Sequence, residues 1–90
     1  MKNKVLIIFK YPRRWNAHVL KKFSNYYDIE HLYLNNYKDK NFTQIIYDIN
    51  NLIKLKKIEI VVFDVDYFKF INLFFIKEIN SKKKILWTGD

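Results

Sequence analysis

An α/β domain with a parallel sheet is the fold that this chain predicts, in the order β-α-β-α-β-α-β. Four short apolar runs alternate with longer segments of helical period. Two of the runs, Val5 to Phe9 and Ile58 to Phe63, are aliphatic and aromatic apart from Glu59, the composition of strands covered on both faces. One Gly and one Pro in 90 residues, with no repeat, linker or low-complexity tail, make residues 1–90 one domain. The expected architecture is a Rossmann-like three-layer α/β/α domain with a four-stranded parallel sheet in the order 2-1-3-4.

The first strand, Val5 to Phe9, is expected at the centre. The segment Trp15 to Tyr27 follows as a helix, with Trp15, Val19, Phe23, Tyr26 and Tyr27 on one stripe and Asn16 capping its start. Strand two, Ile29 to Leu34, carries Glu30 and His31 among its apolar positions and suits an edge. Helix two runs from Phe42 to about Lys56, with Phe42, Ile45, Ile46, Ile49, Leu52 and Ile53 on one face and Asn41 with Gln44 as a capping box. Strand three is Ile58 to Phe63, helix three Tyr67 to Asn80 behind an Asp66 cap, and strand four Lys84 to Thr88.

Helix three has scarcely any polar face: Phe68, Phe70, Ile71, Leu73, Phe74, Phe75, Ile76 and Ile79 surround it. The sheet covers one side, so a homodimer partner or a missing domain is expected to cover the other. The sequence ends at Asp90, directly after a strand, where this architecture calls for another helix. The chain is therefore expected to be the N-terminal fragment of a longer, two-domain protein.

Composition removes several functions. Without cysteine there is no disulfide framework or thiolate metal site, and His18 and His31 form no ligand pair, so neither a metal nor a cofactor is expected. The apolar run after Met1-Lys2-Asn3-Lys4 is five residues, too short for a signal peptide, and no stretch reaches the ~18 residues of a transmembrane segment. A cytoplasmic location is expected. The formal charge of +8 suggests a nucleic-acid surface. However, 15 of the 17 basic residues are Lys, whereas such surfaces favour the bidentate guanidinium, and Lys, Asn, Ile, Phe and Tyr are enriched along the whole chain. No nucleic-acid partner is expected.

In an open parallel sheet, ligands bind beyond the carboxyl ends of the strands where strand order reverses. For the order 2-1-3-4 that point lies between strands one and three. Arg13, Arg14, Trp15, Asp64 and Asp66 would line it. Two guanidinium groups ahead of a helix N-terminus suit an anionic or sugar-phosphate group; the plainer reading is two solvated arginines and a Trp packed as a hydrophobic staple. The loop has no glycine to let a pyrophosphate approach, which argues against dinucleotide binding.

The string VVFDVDYF resembles the nucleophile motif of haloacid-dehalogenase-like phosphatases, but Tyr67 and Phe68 replace the Gly and Thr of that motif, and it sits on the third strand instead of the first. Asp64-Val65-Asp66 also has the spacing of a metal-holding DxD, without further ligands around it. The plainer reading makes Asp66 a helix cap.

Taken together, KVLIIFKYPRRWN, HVLKKFSNYY, IEHLYL, IEIVVFDVD and KKILWTGD resemble the N-terminal domain of a GT-B glycosyltransferase of the CgeB-like, surface-polysaccharide type. Trp87 and Asp90 match that family's aromatic-then-acidic ending to the fourth strand. The resemblance is one of pattern and spacing along the whole chain. It implies an acceptor-side domain that works with a nucleotide sugar and a glycan acceptor and is inactive without a donor-holding second domain. Arg13, Arg14, Trp15, Asp64 and Asp90 would face the cleft. The competing reading is a stand-alone interaction module that oligomerises through helix 67–80.

Overall fold

The computed structural model of the chain describes residues 2–9, 14–37, 39–64 and 73–87, with the side chains of residues 14, 15, 73–75 and 87 outside that description. Its elements are β1 (Lys4–Phe9), α1 (Arg14–Phe23), β2 (Asp28–Tyr33), a 3-10 turn (Leu34–Tyr37), α2 (Phe42–Lys56), β3 (Ile60–Asp64), α3 (Leu73–Glu78) and β4 (Lys83–Trp87). The four strands form one sheet in the order β2-β1-β3-β4, and every pairing is parallel. The chain is thus a Rossmann-like α/β domain with the expected strand order.

Layering follows from the direction of winding. From β1 the chain steps to β2 on one side, then crosses back to β3 and continues to β4 on the other side. Because parallel crossovers are right-handed, reversing direction puts the first helix on the opposite face from the next two. The core divides accordingly. Val5, Ile7 and Phe9 on alternate positions of β1 pack with Leu20 of α1. Leu6, Ile8, Val61 and Phe63, pointing the other way, pack with Ile45, Ile49 and Ile53 of α2 and with Ile76 and Ile79 at the end of α3.

Helix α2 matches the expected span because both of its ends carry local signals. Asn41 Oδ1 accepts from the Gln44 backbone N–H at 2.9 Å, which satisfies one of the orphan donors of the first turn. At the other end Lys57 is left-handed (φ 55, ψ 46), and the amides of Lys57 and Ile58 both donate to the Ile53 carbonyl. Ile58 then folds back onto Ile53 in the core, so β3 begins at Ile60 and not at Ile58. Asn41→Ala is expected to cost about 1 kcal/mol. Lys57→Gly, which removes a Cβ from a left-handed residue, is expected to stabilise by about 0.5–1 kcal/mol. Urea midpoints of the two variants, moving in opposite directions, check both.

Three expectations need adjustment. Helix α1 stops at Phe23 instead of Tyr27: Ser24 Oγ donates to the Lys21 carbonyl at 2.7 Å, and the amides of Ser24 and Tyr27 close the last turns onto Leu20 and Phe23. Asn16 is the third residue of α1 and so not its cap. Phe42, expected on the buried face of α2, is 52% exposed, because the first turn of the helix projects past the sheet-facing stripe that starts at Ile45. Of the third helix, residues 73–78 are described, while the Asp66 cap and residues 67–72 lie outside the described residues.

A side-chain clamp ties α2 to the end of α3. Asn50 donates from Nδ2 to the Glu78 carbonyl (3.0 Å) and accepts at Oδ1 from the Asn80 amide (2.7 Å). Lys84 Nζ donates to the Lys77 carbonyl at 3.2 Å, so a cation meets the negative end of α3.

Candidate functional site

Strands β1 and β3 are neighbours, in register from Val5 opposite Ile60 to Ile8 opposite Phe63, which brings their last residues, Phe9 and Asp64, to the same edge. Beyond that edge the chain leaves β1 toward β2 and leaves β3 toward β4. The strand order therefore reverses between β1 and β3, which makes this edge the topological switch point of the sheet.

Two polar side chains are buried in this region: Asp64, at the end of β3, and Asn16, in the first turn of α1, each 1% exposed. They are the buried polar or charged residues among those described. Strand alternation puts Asp64 on the same face as Ile60 and Val62, the face that carries α1. Asn16 lies four and seven residues before Leu20 and Phe23, on the sheet-facing side of α1. Burial of such groups is costly unless polar neighbours satisfy them, so a carboxylate and an amide at one end of one face mark the polar part of an otherwise apolar layer.

Of the residues expected at the site, Asp64 occupies the predicted edge, and it is enclosed instead of lying on the rim. Arg14 and Trp15 are the first two residues of α1, whose N-terminus starts at the same edge because α1 follows β1. Arg13, Asp66 and Asp90 lie outside the described residues. Asn16 is not among the residues expected at this edge, although a polar residue on the apolar stripe of a helix is a readable signal.

No family model matches this chain. Neither does any curated protein or solved structure.

Among the described residues no group of three or more His, Asp or Glu side chains is placed to hold a metal ion. His31 on β2 is exposed and meets the Tyr33 ring edge-on at 5.4 Å. No described helix is long and apolar enough to cross a membrane.

The described ion pairs involve α2. Lys56 stands 3.8 Å from Glu30 of β2, and Lys40 Nζ lies 2.7 Å from Asp48 Oδ2 and over the Tyr37 ring. The hydrogen bond to Asp48, helped by that carboxylate's charge, raises the Lys40 pKa above the ordinary lysine value. A raised folded-state pKa favours the fold while the lysine is protonated, so this contribution is present at neutral pH and is lost as pH rises through the Lys40 value. In an NMR titration of the lysine side chains, Asp48→Asn is expected to bring Lys40 back toward the ordinary range. A Lys40 titration unchanged by that substitution contradicts the assignment.

Proposed function

We propose that this chain is the acceptor-side domain of a cytoplasmic glycosyltransferase, working with a second domain that holds the activated nucleotide sugar. The observation that carries the reading is the switch point between β1 and β3, an edge that in doubly wound sheets receives ligands. Topology by itself selects a ligand-binding edge and leaves the ligand class open. The sugar assignment comes from the resemblance of the chain's strand and loop pattern to the opening domain of GT-B enzymes.

In this reading the acceptor glycan lies across the carboxyl ends of β1 and β3. Carboxylates accept hydrogen bonds from sugar hydroxyls, and guanidinium groups clamp anionic substituents in bidentate fashion. Arg13, Arg14, Asp66 and Asp90 are the proposed polar contacts, Trp15 the apolar surface for a sugar ring, and Asp64 with Asn16 the buried support beneath them. The domain's task is to hold one acceptor hydroxyl in position, while the donor and the leaving nucleotide belong to the partner domain.

The test is an NMR titration of the chain with oligosaccharides of bacterial surface-polysaccharide composition and, separately, with nucleotide sugars. The expected result is saturable shifts at the amides of Phe9, Asn16 and Asp64 with a glycan, and much weaker ones with nucleotide sugars. Trp15→Ala should weaken the glycan response about tenfold, the size of one lost stacking contact. Absence of any glycan response at these amides overturns the proposal.

A further inference from the structure

A parallel sheet is normally covered by helices on both faces, and the described residues cover one face only in part. Helix α1 lies over the β1 side through Leu20, and next to it runs an open groove of about 240 Å³. Ile7, Ile60 and Val62 floor it, Phe23 and Tyr27 form the wall on the α1 side, and Ile85 of β4 closes the other side. Phe23 is 39% exposed and Ile85 43%, high values for large apolar groups that face a sheet. The size is informative. From β1 to β4 there are two strand spacings, roughly 10 Å, and the diameter of a helix is about 10–12 Å. The five residues of β3 extend roughly 16 Å, the length of three helical turns.

The charge around the groove selects the occupant. A second cavity adjoins it at the amino ends of the strands, shares Tyr27 and Ile29 with it, and is lined by Lys2 and Lys4, with Asp28 as the acidic residue. Lys83 is exposed on β4 opposite Ile60, on the groove face. The whole chain carries +8. A second copy would bring another +8 chain and the same basic mouth against this one, whereas acidic side chains would be attracted to it. Nucleic acid would set phosphates against an apolar floor.

We propose that this groove docks one amphipathic helix of another polypeptide, about three turns long, with an apolar stripe on the sheet and acidic residues along its flanks. The groove is on the face of the sheet and the switch point is at its edge, so this surface is independent of the acceptor site and is read by different residues.

The test uses three fluorescein-labelled helical peptides: one with an i, i+3, i+4, i+7 leucine stripe and Glu flanks, one with the same stripe and Lys flanks, and one with the Glu/Leu composition scrambled. Anisotropy with the full chain is expected to show the Glu-flanked peptide binding at least tenfold more tightly than either control. Its affinity should fall several-fold between 0.05 and 0.5 M salt. Methyl NMR should place it on Val5, Ile7, Ile60, Val62 and Ile85. Ile85→Glu should abolish binding, with unchanged methyl signals of Leu6, Ile8 and Ile49 showing that the fold is intact. Lys83→Glu, at an exposed position, should weaken binding and flatten the salt dependence. Equal binding of the three peptides overturns the proposal. So does a homodimer in sedimentation equilibrium with the same methyls buried, or binding to anionic lipid vesicles in preference to the peptide.

Discussion

Phe63→Ala is expected to remove much of the stability of the fold. Phe63 is 1% exposed on β3, a strand paired on both sides, and packs into the layer formed by α2 and the end of α3. Removing a buried phenylalanine ring costs about 3–5 kcal/mol, from lost transfer energy and the cavity left behind. A domain of this length has roughly 5–13 kcal/mol of stability in total, and small domains sit low in that range. At about 4–8 °C per kcal/mol, thermal unfolding followed by circular dichroism should shift down by roughly 12–40 °C. A shift under about 5 °C would mean that Phe63 does not fill the core.

The second large effect contrasts two residues of one helix. Ile49→Ala, at a residue 1% exposed in the centre of α2, is expected to cost about 2–5 kcal/mol. Leu55→Ala, six residues along and 78% exposed, is expected to change stability by about 0.5 kcal/mol or less. Both substitutions replace a branched aliphatic side chain with the same good helix former, so the difference reports burial and not helix propensity. Matching urea denaturation curves for the two variants would contradict the placement of α2 on the sheet.

Much of this fold can be read along the chain because its signals are local. The stripe from Ile45 to Ile53 and the Asn41 cap define α2 within the residues that form it, and Glu30 and His31 mark β2 as an edge. The order β2-β1-β3-β4 follows from two buried runs flanked by two weaker ones. Errors arise where a distant partner decides. Ser24 Oγ can bond back to the Lys21 carbonyl within a continuing helix as well as at its end, and the choice is made at a distance, where the Asp28 amide pairs with the Asn3 carbonyl to start β2. Asn50 reads as one polar residue on a helix, and its clamp on Glu78 and Asn80 exists only once α3 is in place.

The site was legible to a smaller degree. Strand order locates the switch point, and Asp64 was singled out at its edge. The enclosure of Asp64 and the burial of Asn16 depend on how α1 lies over the sheet. The open groove is not legible in the sequence, since continuous apolar strands such as Val5 to Phe9 read as covered on both faces. Of the apolar residues of helix three, Ile76 and Ile79 face the α2 layer, while Phe68, Phe70 and Ile71 and the side chains of Leu73, Phe74 and Phe75 lie outside the described residues.

The position of β1 also sets a schedule for synthesis. It leaves the ribosome before the other three strands of this sheet, yet its Val5 must wait for Ile60 before its second side is paired. The unit β1-α1-β2 is complete once Tyr33 has emerged, and from then its Leu6 and Ile8 face water until α2 arrives to cover them. At about 5–20 residues per second, the interval from Tyr33 to the end of β3 is a few seconds. During that time the nascent chain displays an apolar strand with an open edge, the kind of surface that chaperones bind and that favours aggregation.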